Sequence, residues 1–259
     1  MQSEKRSTWC VGAAVLGLAL LIVGGCDQSA ANDQAKMDQM QKQMDDIRSD
    51  LNEDMQSQLA EDGIFAADED YIDSMASVIE DAAANTSPEQ AKVLQRQAGL
   101  LRELEAIMAP YNTALTDFME LGGIDPVTIT ELGHFDVRFD LIDRMAVANE
   151  SMDTKIPRLI RQLGNIEGRS LVTTQQQVDL LTQMRESDRV LFEGMTRYLT
   201  LLKNNWNLYE LETATGMLMF AESVPDETID EINLALEVIT EQGVKQGQIQ
   251  QAILDLDQP

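Results

Sequence analysis

"VDLLTQMRESDRVLFEGMTRYLTLLKNNWNLYELETATGMLMFAES", Val178 to Ser223, carries the pattern on which the fold turns. Leu181, Met184, Leu191, Met195, Tyr198 and Leu202 fall three or four residues apart in a seven-residue repeat. That period belongs to a helix packed along one seam. With a start at Thr173 or Thr174, Gln177 at N3 and a break at Val224 and Pro225, the spacing predicts one helix reaching about Glu222. Its length would be about 70 Å at 1.5 Å per residue. No stretch alternates with period two long enough to predict a strand.

Extending the same frame places Asp188, Asn205 and Glu212 on the seam. A straight helix slips about 20° per heptad against such a repeat, so the expectation is that these three drift to the rim. If buried, they need partners such as Arg138, Arg144 or Arg161. Trp206 with Tyr198 and Tyr209 either walls a polar pocket or packs in the core, and packing is the expectation.

The helical period recurs along the chain. Met37, Met40, Met44, Ile47 and Leu51 step three, four, three, four, which predicts a coiled-coil-like helix over 34–62. Thioethers are soft copper(I) ligands, but the spacing continues through Ile47 and Leu51, so packing explains it better. Asp68 reads as the N-cap of a helix to about Ala84, with Ile72, Met75, Ile79 and Ala83 on one face. Ser87, Pro88 and Gln90 read as a capping box with a proline start. The helix that follows holds Leu94, Leu101, Leu104, Met108, Tyr111, Leu115 and Phe118 in register and ends at Gly122 and Gly123. Pro110 inside it predicts a kink or a split. Asp125 to Leu132 reads as a turn into another helix, with Thr128 and Glu131 a second capping box and Pro157 a second kink or break. A helix over 226–242 and a short terminal one complete the chain. Short turns between long amphipathic helices force neighbours to run oppositely, so the predicted fold is all-α, an elongated antiparallel helical bundle over 68–259 with an N-terminal coiled-coil-like helix.

Of the 259 residues, 19 are Lys or Arg and 45 are Asp or Glu, a net charge of −26. Such a surface repels phosphate backbones, so nucleic acid is not an expected partner. Cysteines occur at Cys10 and Cys26 alone, so everything downstream of Cys26 lacks disulfides, thiolate nucleophiles and Cys-based metal sites. That region must be held by its core, and 200 residues suffice for one.

The start of the chain is of another kind. Lys5 and Arg6 precede Val11 to Val23, an apolar run that is too short for a bilayer-spanning helix of about 20 residues and is interrupted by glycine. A basic start, an apolar middle and small residues at the end make residues 1–25 a signal peptide. "VGGC", Val23 to Cys26, resembles the lipobox of bacterial lipoproteins. The resemblance implies cleavage before Cys26, a thioether diacylglycerol on its sulfur and an acyl group, such as palmitate, on its new amino terminus. It also implies anchoring in a bacterial membrane, facing the periplasm or the exterior. Asp27 resembles the signal that holds lipoproteins on the inner membrane in enteric bacteria. Residues 26–33 then form a flexible tether. Loss of Glu4, Lys5 and Arg6 with the leader leaves 17 basic against 44 acidic residues, a net of −27.

Chemistry is sparse. Glu131 to His134 is an E-x-x-H, but a di-iron bundle needs a second one and His134 is the chain's one histidine. Gly133 weakens the helix where that pair would have to be rigid. No nucleophile elbow or phosphate loop is present in the sequence. Catalytic residues, metal ligands and cofactors are therefore not assigned, and a non-enzyme is expected. The function expected is binding or scaffolding by a lipid-anchored bundle of the cell envelope, with membrane attachment and either a protein partner or self-association through the Met37–Leu51 face. The alternative is an extracytoplasmic ligand-sensing or solute-binding bundle.

Overall fold

The computed structural model describes residues 35, 38–47, 49–50, 70–166, 170–212 and 217–256. Cys26, the expected signal peptide over 1–25, the expected tether over 26–33 and Asp68 lie outside them. Helix α1, Asp70–Ala84, buries Ile72, Met75, Ile79 and Ala83, the face the sequence predicts. Helix α2, Pro88–Glu120, starts on the pre-set φ of Pro88. Ser87 is its N-cap in extended conformation, and its carbonyl accepts from Ala91 N–H at 2.8 Å. Its hydroxyl makes no cap hydrogen bond, so the Ser87–Gln90 box is not formed.

Neither proline splits its helix. Pro110 sits inside α2, and Pro157 inside α3, Gly133–Ile166. A mid-helix proline costs about 3 kcal/mol. Buried Met108, Tyr111 and Leu115 flank one, and buried Ile156, Leu159 and Ile160 flank the other, so packing carries the helix past each break.

Between α2 and α3 the chain makes a single 3-10 turn, Pro126–Thr128, capped by Asp125, whose carboxylate accepts from Val127 N–H at 2.9 Å. The Thr128–Glu131 box is therefore also corrected. Thr128 is spent on the turn, donating to the Asp125 carbonyl at 2.7 Å, and α3 begins only at Gly133.

The largest correction falls on the quoted stretch. Helix α4, Leu171–Asn204, starts at Ser170, whose hydroxyl accepts from Thr173 N–H at 3.0 Å, and it stops 18 residues before Glu222. Asn204, Asn205 and Asn207 surround Trp206, and asparagine competes for the backbone. The Asn205 amide donates to the Leu201 carbonyl at 2.8 Å and closes the helix. A hairpin follows. Strand β1, Tyr209–Glu212, pairs antiparallel with β2, Met217–Phe220, placing Tyr209 opposite Phe220 and Leu211 opposite Leu218. Those four side chains are half-buried, whereas Glu210, Glu212 and Met219 face out. Trp206 stacks edge-on against Phe135 of α3 at 5.4 Å and Tyr209 at 5.8 Å, which fastens the hairpin to the bundle.

Helix α5, Asp226–Asp255, is continuous where the sequence suggests two pieces. Buried Gln246, Ile249, Gln250 and Ile253 hold its second half in place beyond Gly243 and Gly247. Each long helix packs on its neighbours in sequence: α1 on α2, α2 on α3, α3 on α4, α4 on α5. The result is an all-α antiparallel bundle whose main helices, 30 to 34 residues long, reach about 45–50 Å. Residues 38–47 are also helical. Met40 and Met44 are buried in the same core and Ile47 is packed against it, while Met37 and Leu51 lie outside the described residues. No described helix is long and apolar enough to cross a membrane.

Candidate functional site

Helix α4 has neighbours on two sides, α3 and α5, so its buried face is wide and takes in polar positions. Thr174, Gln177, Arg185, Ser187 and Asp188 are all inside. Asp188 is therefore not carried to the rim. It is 2 % exposed, and its partner is Arg185, one turn away on the same helix, rather than Arg138, Arg144 or Arg161. Arg185 Nη1 lies 3.3 Å from Asp188 Oδ2, an ion-pair distance without hydrogen-bond geometry. The other carboxylate oxygen accepts from Gln246 Nε2 of α5 at 2.8 Å.

Arg185 also reaches α3. Its Nη1 donates to Asn149 Oδ1 at 3.0 Å, and Asn149 Nδ2 returns a bond to the Arg185 carbonyl at 3.1 Å. Its guanidinium lies over the Tyr111 ring of α2, 5.6 Å from the centroid. Beside it, Ser187 Oγ donates to Gln242 Oε1 of α5 at 2.8 Å. One cluster thus ties four helices together. At its edge Arg189 binds Asp153 and, at 2.6 Å, Glu186.

Burial dominates the electrostatics. Desolvation pushes the Asp188 carboxyl up to about 6, with Arg185 opposing. The Tyr111 hydroxyl is held well above its ordinary range, first by desolvation and then by the Asp188 charge. Arg185 Nε has no hydrogen-bond partner among the described residues. Removing two charges from water is costly, and what such a pair supplies is directional register. Through Asn149 and Gln246 the cluster links one turn of α3 and one of α5 to α4.

The other sequence candidates scatter. His134 is part-exposed, and its Nε2 lies 3.4 Å from Glu131 Oε1. Its Nδ1 accepts from Thr130 N–H at 3.3 Å, which ties the turn before α3 to the helix's first residues. Among the described residues no group of three or more His, Cys, Asp or Glu is placed to hold a metal. Asn205 is the C-cap of α4, and Glu212 is an exposed strand residue. Tyr198 is buried, and Trp206 and Tyr209 join the aromatic row at the hairpin.

Arg138 has a separate task. Almost fully buried, it donates to the carbonyls of Gly123 at 2.7 Å, His134 at 3.1 Å and Leu121, and to Thr128 Oγ1 at 2.7 Å. It thereby closes the C-terminal end of α2, where carbonyl dipoles favour a cation.

Sequence reasoning missed Arg185, Asn149 and Gln246. Arg185 and Asp188 are an i, i+3 pair of opposite charge beside the predicted seam. Asn149 falls between Met145 and Met152 at core spacing, and Gln246 stands one turn before Gln250 and Ile249. Each is a polar residue at an apolar position, which is the signal available. No family model, curated protein or solved structure matches the chain.

Proposed function

We propose that this chain is a lipid-anchored bundle of the bacterial cell envelope whose work is binding or scaffolding at its surface. The observation that carries the reading is Val23-Gly24-Gly25-Cys26 at the end of a short apolar leader. Diacylglycerol on the Cys26 sulfur and an acyl group on its amino terminus supply the two or three chains that a stable anchor needs. The bundle faces the periplasm or the exterior, and Asp27 favours the inner membrane.

The fold is consistent with a surface role. Its most perturbed carboxyl, Asp188, is spent on holding helices together, while acids cover the outside. That charge keeps the rod off anionic headgroups and leaves its long faces open to a partner. Self-association through the Met37–Leu51 face requires Met40 and Met44 to leave the core, so partners meet other faces first.

The anchor is tested by metabolic labelling with a palmitate analogue. Wild type is expected to take the label and fractionate with membranes, and Cys26→Ala to do neither. Mature protein beginning anywhere but residue 26 would sink the reading. Crosslinking in detergent-solubilised membranes tests scaffolding, and recovery as an isolated monomer at every salt concentration counts against it.

A further inference from the structure

Several cations of this bundle meet carboxylates on a neighbouring helix. Arg102 of α2 binds Asp73 and Glu80 of α1. Arg144 of α3 faces Asp117 of α2 at 3.6 Å, and Arg158 faces Glu103 at 2.8 Å. Arg189 and Lys203 of α4 bind Asp153 and Asp136 of α3, and Arg197 faces Glu231 of α5 at 3.7 Å. Lys155, Arg161 and Lys245 make no ion pair among the described residues either, so what sets a cation apart is a groove shared with a second one.

Two such cations stand together. Lys92 and Arg96, both exposed and one turn apart on α2, make no ion pair among the described residues. Opposite them α3 offers amides, Gln162 and Asn165, where the rest of the same seam offers Glu103 to Arg158. These four residues, with Val93 and Ile166, line a groove of about 410 Å³.

We propose that this groove binds a small organic anion. Its oxyanion, a carboxylate or a phosphate, takes the place that a side-chain acid holds elsewhere on the bundle. Arg96 offers a planar fork to two oxygens, and Lys92 adds a compact charge beside it. The amides of Gln162 and Asn165 donate to a hydroxyl or ester oxygen. Val93 and Ile166 supply the apolar wall on which a short carbon chain lies. The volume is within the range of small-molecule sites, roughly 300–1,000 Å³. The inference stands apart from the lipid anchor, and neither depends on the other.

The test uses the full chain in non-ionic detergent, with hexanoate, hexyl phosphate and inorganic phosphate as probes and hexanol and hexylammonium as controls. At about ten times Kd an anionic probe is expected to raise Tm by about 2–4 °C. The rise is expected to disappear in the Lys92→Gln/Arg96→Gln double variant and to persist in Lys245→Gln, an exposed cation on another helix. Isothermal titration is expected to weaken between 50 and 500 mM NaCl, as screening requires. An equal shift in the double variant, or with hexanol, overturns the proposal. So does binding only to phosphatidylglycerol vesicles without any response to the monomeric anions, which would make the groove a contact for a lipid surface. Which arm responds, carboxylate or phosphate, names the oxyanion.

Discussion

Asp188 holds its carboxyl where water does not reach, and the folded chain consequently binds that proton more tightly than the unfolded one. Its pKa rises to about 6 from an ordinary value near 4. The contribution to stability is complete below about pH 4 and is lost as pH climbs through 6, on the order of 3 kcal/mol by linkage. Glu80 acts in the opposite sense, because Arg102 holds it below its ordinary range, so total stability against pH mixes the two. The comparison that isolates Asp188 is chemical denaturation of wild type and Asp188→Asn at pH 5 and 7.5. Wild type is expected to gain on the variant in going to pH 5, and a gap that does not change with pH would show the carboxyl to be ionised throughout. Arg185 is the neighbour whose charge limits the rise, with Tyr111 and Gln246 facing the pair from α2 and α5.

Elements begin and end here by devices that differ in how visible they are. The end of α2 is a Schellman turn: Gly122 N–H donates to Met119 O at 2.8 Å and Gly123 N–H to Phe118 O at 2.9 Å, with both glycines at positive φ. The two are not equivalent. A Cβ on Gly122 would come within 2.4 Å of Thr128, whereas one on Gly123 would make ordinary contact with Phe118 at 3.5 Å. Gly122→Ala is therefore expected to lose more than 2 kcal/mol, since backbone strain of about 1–2 kcal/mol adds to the clash, while Gly123→Ala loses the strain alone. Urea denaturation of both variants measures the difference, and equal losses would contradict the close approach. Those glycines were legible in the sequence, as were the core faces of α1 and α2, because apolar spacing and helix stops are local signals. The hairpin was not. Tyr-Glu-Leu-Glu alternates for only four residues, and Tyr209 also fits the heptad of α4, so period alone could not separate strand from helix. What decides it is Asn205 capping α4 and Trp206 packing on Phe135, both contacts of the folded chain. The buried cluster stayed hidden for a similar reason: α4 is covered on two sides, and one seam read from sequence shows only one of them.

At the scale of the whole molecule, charge sets the response to solvent. The full chain carries a net −26, while its surface ion pairs are mostly exposed and individually worth little. Raising NaCl from 50 to 500 mM screens both, but general repulsion among 45 acids outweighs a handful of pairs. Thermal unfolding is expected to shift upward by several degrees over that range, and a downward shift would mean the pairs dominate.

The seating of Met40 and Met44 has a mechanical meaning as well. Thirteen residues separate Cys26 from Met40, a span of at most about 50 Å even when drawn straight. If Cys26 is held in a bilayer as proposed, a pull on that connection reaches the bundle first at two thioether side chains seated in its interior. The bundle would then register a pull from the membrane as a load on its own hydrophobic centre.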